Sequence, residues 1–196
     1  MVEGKEFYKK YRWFFTSSGK LVYGGKSAEQ NDEVVNELLK QRGKDYILMH
    51  TRIPGSPFAV IRYPVKDISE EDLDEVAVWT GCFSRAWRQG MKNVEVDIFK
   101  LSDVSKPRTA KSGTFAVKNK IKRKKVKLKL ALINQKSVLR AVSEASVKKT
   151  NKVFGKIIPG SLTKEKFAKQ ISGEFGKSKE EVLNALPTGG FKEITK

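Results

Sequence analysis

From Lys125 onward the side chains alternate. Lys125, Lys127 and Lys129 fall on one side of an extended strand, and Val126, Leu128, Leu130 and Leu132 on the other. Side chains two residues apart on a strand are separated by roughly 6.7 Å, so the lysines form a row of charge suited to a backbone of phosphates. Lys118, Lys122 and Arg123 extend the basic run toward the N-terminus. A solvated edge strand, where lysine discourages aggregation, would explain three lysines equally well. The charge distribution favours the phosphate reading. Residues 1–99 hold 15 basic and 15 acidic side chains, whereas 100–153 hold 17 basic and only Asp103 and Glu144 as acids. The whole chain carries +18, and such asymmetry between halves points to a polyanionic partner.

Gly24-Gly25-Lys26-Ser27 ends like a phosphate-binding P-loop, but the glycine that motif needs earlier is replaced by Lys20. Two weaker readings stay open. A glycine turn, a helix N-terminus capped by Ser27 and the nearby Lys26 can hold one phosphate. The same residues also make a plain strand-to-helix turn with a good cap. His50 precedes Arg52-Ile53-Pro54-Gly55-Ser56-Pro57. Nothing in the spacing fixes a nucleophile–base pair of Ser56 and His50, so a structural or hydrogen-bonding histidine is expected rather than a catalytic one. Arg52 and Ser56 read better as phosphate or sugar contacts. Trp13, Trp79 and Trp87 could stack on bases, yet all three lie where core packing is the default.

The inventory excludes several classes. One cysteine, Cys82, allows no intrachain disulfide, and one cysteine with one histidine cannot build a four-ligand zinc site. No apolar run approaches a membrane span, and the N-terminus has no secretory h-region. The expectation is a soluble, cytoplasmic, non-enzymatic protein of 196 residues without cofactor, metal or membrane partner.

The elements that must position these residues are legible in outline. Residues 8–25 read as an aromatic strand pair, and Ser27 with Gln30 has capping-box spacing for a helix to about Gln41. Tyr46–His50 and Phe58–Tyr63 read as strands around a Pro/Gly loop. Ser69 caps a long helix running to Gly90, acidic in its first turns and carrying Arg85 and Arg88 in its last. Val94, Val96 and Ile98 alternate as a half-buried strand. Thr114–Asn119 and Lys125–Ile133 read as a basic strand pair. Beyond Asn134, residues 137–150 read as a helix, Lys152–Ile158 as a strand, Thr163–Phe175 as a helix, and Ser178 opens a short final helix.

The order of motifs resembles one family. Tyr11-Arg12-Trp13-Phe14-Phe15 followed by Gly24-Gly25-Lys26-Ser27-Ala28-Glu29-Gln30-Asn31-Asp32 is similar to the opening of the NFACT-R domain. His50 with Gly55-Ser56-Pro57, Ser84-Arg85-Ala86-Trp87, Val104-Ser105-Lys106-Pro107 and Gly113-Thr114-Phe115 resemble its later elements in the same order. The loop Arg52-Ile53-Pro54-Gly55 lacks a second histidine often found there. Such domains occur in ribosome quality control factors that bind stalled large subunits and recruit tRNA, and also alone or beside tRNA-thiolation enzymes. The resemblance thus implies a module that binds tRNA or ribosomal RNA, and it adds Arg12, Lys106 and His50 to the candidate contacts. The chain looks most like stand-alone archaeal versions, without the N-terminal domain, helix-hairpin-helix or coiled coil of the complete factors.

The combined expectation is an α+β protein with a mostly antiparallel sheet and two packed helices. Residues 1–133 would form the RNA-binding domain, and 134–196 a basic, mainly helical C-terminal extension. Its partner would be tRNA or large-subunit rRNA, with the ribosome as the setting. Two other readings stand beside it: an accessory subunit of a tRNA base-modifying enzyme, and a general DNA-binding protein.

Overall fold

Trp13 and Phe14 are adjacent and both buried, yet they belong to different apolar clusters. Alternation along a strand sends them to opposite faces, and both faces of the sheet are covered. The computed structural model describes residues 6–41 and 43–194. Its elements are β1 (Arg12–Phe15), β2 (Leu21–Gly24), α1 (Ala28–Leu39), β3 (Ile47–Thr51), β4 (Ala59–Ile61), α2 (Glu70–Cys82), α3 (Arg85–Arg88), β5 (Asn93–Lys100), β6 (Val104–Ser105), β7 (Ala116–Val117), β8 (Lys122–Lys127), β9 (Leu130–Gln135), β10 (Val138–Val142), β11 (Val153–Leu162), α4 (Lys164–Phe175), α5 (Lys179–Ala185) and β12 (Phe191–Ile194).

The protein is α+β. A six-stranded sheet has the order β1-β2-β4-β3-β5-β8, with every neighbouring pair antiparallel. A four-stranded antiparallel sheet has the order β10-β9-β11-β12, and β6 and β7 form a short ribbon. Val34, Val35 and Leu38 of α1 cover one face of the large sheet, against Trp13, Tyr23, Leu48, Val60 and Phe99. Val76, Ala77 and Trp79 of α2 cover the other, against Phe14, Val22, Met49, Ile61 and Ile98. This second cluster continues through Leu128 and Leu130 into the smaller sheet, Phe167 of α4 and Val182 of α5.

Three sequence expectations are corrected. The helix from Ser69 does not run to Gly90. It breaks at Phe83–Ser84, because Ser84 Oγ donates to the Gly81 carbonyl (2.6 Å) and accepts from the Ala86 amide (3.1 Å), starting a separate one-turn helix. The strand read over 125–133 is two strands, β8 and β9, in different sheets. The helix read over 137–150 is strand β10 and a 3-10 turn, so the C-terminal region is not mainly helical but a mixed sheet-and-helix unit. Lys136 and Ser137 adopt φ of 50° and 63° and close a two-residue hairpin between β9 and β10. Such turns favour Asn-Gly, so Lys-Ser carried no visible hairpin signal. Residues 133 and 134 both lie inside β9.

Polar contacts tie the C-terminal region to the large sheet. Gln135 accepts from the Phe15 amide (2.8 Å) and donates to its carbonyl (2.7 Å), pairing the β1 edge as a strand would. The buried Glu75 carboxylate accepts from the Ser17 amide (2.8 Å) and the Ser146 hydroxyl (2.7 Å). Trp87 Nε1 donates to the Gly190 carbonyl (3.0 Å). Among the described residues no helix is long and apolar enough to cross a membrane.

Candidate nucleic-acid interface

The Gly24-Gly25 turn delivers the chain into α1 at very close range. A Cβ at Gly25 would stand 2.5 Å from Asn31 Oδ1 and 2.6 Å from the Asn31 amide, so only glycine fits. Ser27 caps the helix, accepting from the Gln30 amide at 3.3 Å, and Gln30 Oε1 accepts from the Lys26 amide at 2.9 Å. Asn31 is buried and reaches across to the loop after β3. Its Nδ2 donates to the Ser56 carbonyl (3.2 Å) and its Oδ1 accepts from the Phe58 amide (3.1 Å). Inside that loop, Ser56 Oγ accepts from the Thr51 amide (3.0 Å) and donates to the Pro57 carbonyl (3.1 Å). Gly55, at φ +106°, packs on Arg85, whose amide donates to the Gly55 carbonyl at 2.7 Å.

A third loop closes the arrangement. Asp32 accepts from Lys106 Nζ, from Ser112 Oγ (2.8 Å) and from the Gly113 amide (2.9 Å). These contacts hold the segment between β6 and β7 against the start of α1, with Lys106 over the Phe115 ring at 4.6 Å. Burial alone would raise the Asp32 carboxyl, but Lys106 and the Gly113 and Ser112 donors outweigh it and hold the pKa low.

Together the loops enclose a cleft of about 660 Å³. Among the described residues, Arg12, Lys26, Arg52, Arg85, Arg88 and Lys120 line it, opposed by one carboxylate, Asp97. Ser27 and Ala28 place the positive end of the α1 dipole in its wall. Phe83 and Phe115, both half-buried, supply aromatic surface. Among the described residues, Arg52 pairs with Glu95 (2.9 Å) and Lys120 with Asp97 (3.1 Å), whereas Arg12, Lys26, Arg85 and Arg88 have no carboxylate within ion-pair distance. Arg12 Nη1 donates to the Gly25 carbonyl at 3.4 Å, and its guanidinium sits over the Phe83 ring at 5.4 Å. Burial lowers its pKa, and burial with the charges of Arg12 and Arg140 lowers Lys26.

The structure thus brings Arg12, Gly25, Lys26, Ser27, His50, Arg52 and Ser56 around one cleft. His50 Nδ1 donates to the Thr51 carbonyl (2.7 Å), its ring lies 4.6 Å from that of Phe58, and burial depresses its pKa, which favours the neutral imidazole. Lys106, Lys118, Lys122, Arg123, Lys125, Lys127 and Lys129 do not line the cleft. Lys122 pairs with Glu70 (2.7 Å), Arg123 with Asp97 (2.6 Å), and Lys129 with Glu144 (2.8 Å). Lys118, Lys125 and Lys127 have no ion pair among the described residues, and Lys125 and Lys127 are exposed on the outer strand β8, opposite the buried Val126. Trp13, Trp79 and Trp87 are core residues.

Sequence reasoning missed Arg85, Arg88 and Lys120 in the cleft, and Asn31 and Asp32 as its organisers. Arg85 and Arg88 read as complements to the dipole of a long helix; the break at Ser84 carries them to the cleft instead. The available signal was Ser84 itself, a capping residue inside an apparent helix.

Residues 10–119 match the sequence model of the NFACT protein RNA binding domain. The chain belongs to this family. Within the NFACT RNA-binding domain, the matched segment contains every cleft residue named above except Lys120, which lies just past its end, while β8 to β12, α4 and α5 lie beyond it. The chain is 28% identical over 214 residues to a protein of Methanocaldococcus jannaschii named as an archaeal Rqc2 homolog, aRqcH, a match that covers 98% of this chain and 30% of that protein. It is 33% identical over 82 residues to a Drosophila melanogaster protein named as a homolog of the ribosome quality control complex subunit NEMF, covering 41% of this chain and 8% of that one. The human NEMF subunit is 30% identical over 82 residues, with 41% and 7% covered. The chain therefore spans less than a third of the length of these relatives. Among solved structures, the C-terminal part of the fibronectin/fibrinogen-binding protein of Streptococcus suis superposes with a TM-score of 0.49 at 25% identity, over 60% of this chain and 44% of that one.

Proposed function

We propose that this NFACT RNA-binding domain holds structured RNA, tRNA or large-subunit rRNA, in its cleft without chemical change, and that it does so in ribosome-associated quality control. The observation that carries the reading is the charge imbalance of the cleft, six cations around one carboxylate, at the N-terminus of α1. Guanidinium groups without internal partners are free to bind phosphate oxygens in bidentate fashion, and a helix N-terminus favours the same anion. Phe83 and Phe115 offer faces on which unpaired bases can stack. A cleft fixed by three interlocked loops recognises one backbone geometry, which a row of mobile lysines on an open strand does not. Lys125 and Lys127 add sequence-independent attraction outside it. The quality-control setting rests on the names of the relatives and on the match to nearly the whole chain in the archaeal one.

The test is a competition titration at fixed salt among folded tRNA, a single-stranded RNA of equal length and duplex DNA. Tight, tRNA-selective binding that is lost in the Arg85→Ala, Arg88→Ala double variant, with its Tm retained, is the expected result. Equal affinity for all three polymers would sink the reading.

A further inference from the structure

A second pocket, of about 400 Å³, lies beside the cleft, between β1, the end of α2, β10 and α5. Arg12, Lys26 and Phe83 line both spaces, so these three side chains are the wall between them. The far side is built by Arg140, which lies outside the segment that matches the family and whose guanidinium stacks on the Trp13 ring at 3.9 Å. Arg140 donates to the Leu139 carbonyl at 3.2 Å and, like Arg12 and Lys26, has no ion pair among the described residues. The acids at this pocket are Glu180 and Glu181, and Glu181 is already engaged by Lys177 (2.8 Å) and the Leu139 amide (3.0 Å).

Two buried donors in the wall, Arg140 Nε and Trp13 Nε1, have no acceptor among the described residues. Buried donors are ordinarily satisfied, so a pair of them beside three cations without ion pairs marks a place where acceptors are missing. Burial lowers Arg12 and Lys26 and, against the pull of Glu181, brings Arg140 down to about 10, and the charges of Arg12 and Arg140 lower Lys26 further, so an anion at the junction would offset the cost of holding these cations out of water. On β8, by contrast, Lys122 and Lys124 are neutralised by Glu70.

We propose that the junction of Arg12, Lys26 and Arg140 binds a phosphodiester of the RNA strand leaving the cleft, so that the C-terminal sheet completes the RNA site. The inference rests on the RNA-binding reading and adds one subsite to it. The shared wall makes the two spaces consecutive, and a strand gripped at α3 can pass over Phe83 to reach Arg140.

Arg140→Gln keeps a planar group on Trp13 and removes the charge; Arg140→Lys keeps the charge. RNA affinity is measured over a range of salt for both, for wild type and for the Arg85→Ala, Arg88→Ala variant, with Tm as the folding check. Arg140→Gln is expected to weaken RNA about 5- to 10-fold and to flatten the log–log salt slope by about 0.7–0.9, one phosphate, with the slope recovered in Arg140→Lys. Separately, inorganic phosphate is titrated against chloride at equal ionic strength while the Arg140 Nε–H and Trp13 Nε1–H resonances are followed, and phosphate alone is expected to shift them. If Arg140→Gln binds like wild type while the Arg85/Arg88 variant is weakened, the subsite is wrong and the cleft stands. If wild type binds no RNA, the function reading fails, and resonances unmoved by phosphate then overturn the subsite too.

Discussion

The backbone amide of Arg85 donates to the carbonyl of Gly55 at 2.7 Å, locking the one-turn helix α3 to the loop after β3. The bond places two arginines beside a loop that carries none of their sequence neighbourhood. It forms only because Gly55 holds φ +106°, a conformation that side-chain-bearing residues rarely adopt, and because a Cβ there would stand 3.1 Å from the Arg85 Cβ.

Gly55→Ala should therefore destabilise the protein by about 1–2 kcal/mol and lower RNA affinity beyond what that loss explains, since the loop must retreat from Arg85. Thermal unfolding and a titration well below Tm check both. An alanine variant with unchanged Tm and affinity would mean that the loop accommodates a side chain without moving Arg85.

Asn31→Ala should cost about 2 kcal/mol or more, because it leaves the buried Phe58 amide without its acceptor as well as removing the bond to Ser56. Asn31→Asp keeps the acceptor and loses the donor, so it should fall between. Denaturant unfolding at constant m-value gives the order wild type, Asp, Ala. Equal stability of all three would remove Asn31 as the clamp between α1 and the loop.

His50 carries a pH dependence whose sign is fixed by its burial. Its folded pKa lies below the unfolded value near 6.5, so between the two the unfolded chain binds more protons. Stability should be level above about pH 6.5 and fall as the pH drops below it, before the carboxylates respond. Asp72 and Glu70 are also held low, but they titrate only in the carboxylate range and below. Burial would raise Asp72, yet Lys20, Ser18 and the Ser69 amide overcome it. His50→Gln should flatten the profile between pH 6.5 and 5. A profile as steep as wild type would assign the effect elsewhere.

Lys125→Gln with Lys127→Gln should reduce the salt slope of RNA binding by up to about 0.7–0.9 per lysine and change stability by no more than about 0.5 kcal/mol. Arg123→Gln should do the opposite, lowering Tm, because it takes the two-pronged guanidinium from the largely buried Asp97 and leaves only Lys120 to pair with it. If both variants behave alike, the division of β8 into internally paired and free cations is wrong.

Much of the local structure was legible without coordinates. Ser27, Ser69 and Ser178 each cap the helix expected after them, because a cap is a contact between residues three apart. The alternation of Lys125, Val126, Lys127 and Leu128 gave the correct inner and outer faces, because a strand turns by half a revolution per residue. The family resemblance rested on contiguous motifs. The Lys136–Ser137 hairpin was hidden, since its residues adopt positive φ without glycine or asparagine to announce it.

Charge is where the tertiary structure decided. The sequence alone determined that the second half is basic and that the first half is neutral. It did not determine which cations remain available. Folding brings Lys122 and Lys124 onto Glu70 of α2, some fifty positions away, and cross-strand register sets Arg123 opposite Asp97. The neutral half meanwhile gathers Arg12, Lys26, Arg85 and Arg88 around one cleft and sends their acidic neighbours elsewhere. Caps and strand faces follow from spacing along the chain, whereas ion pairing falls off within a few ångströms and depends on which distant segments the core draws together.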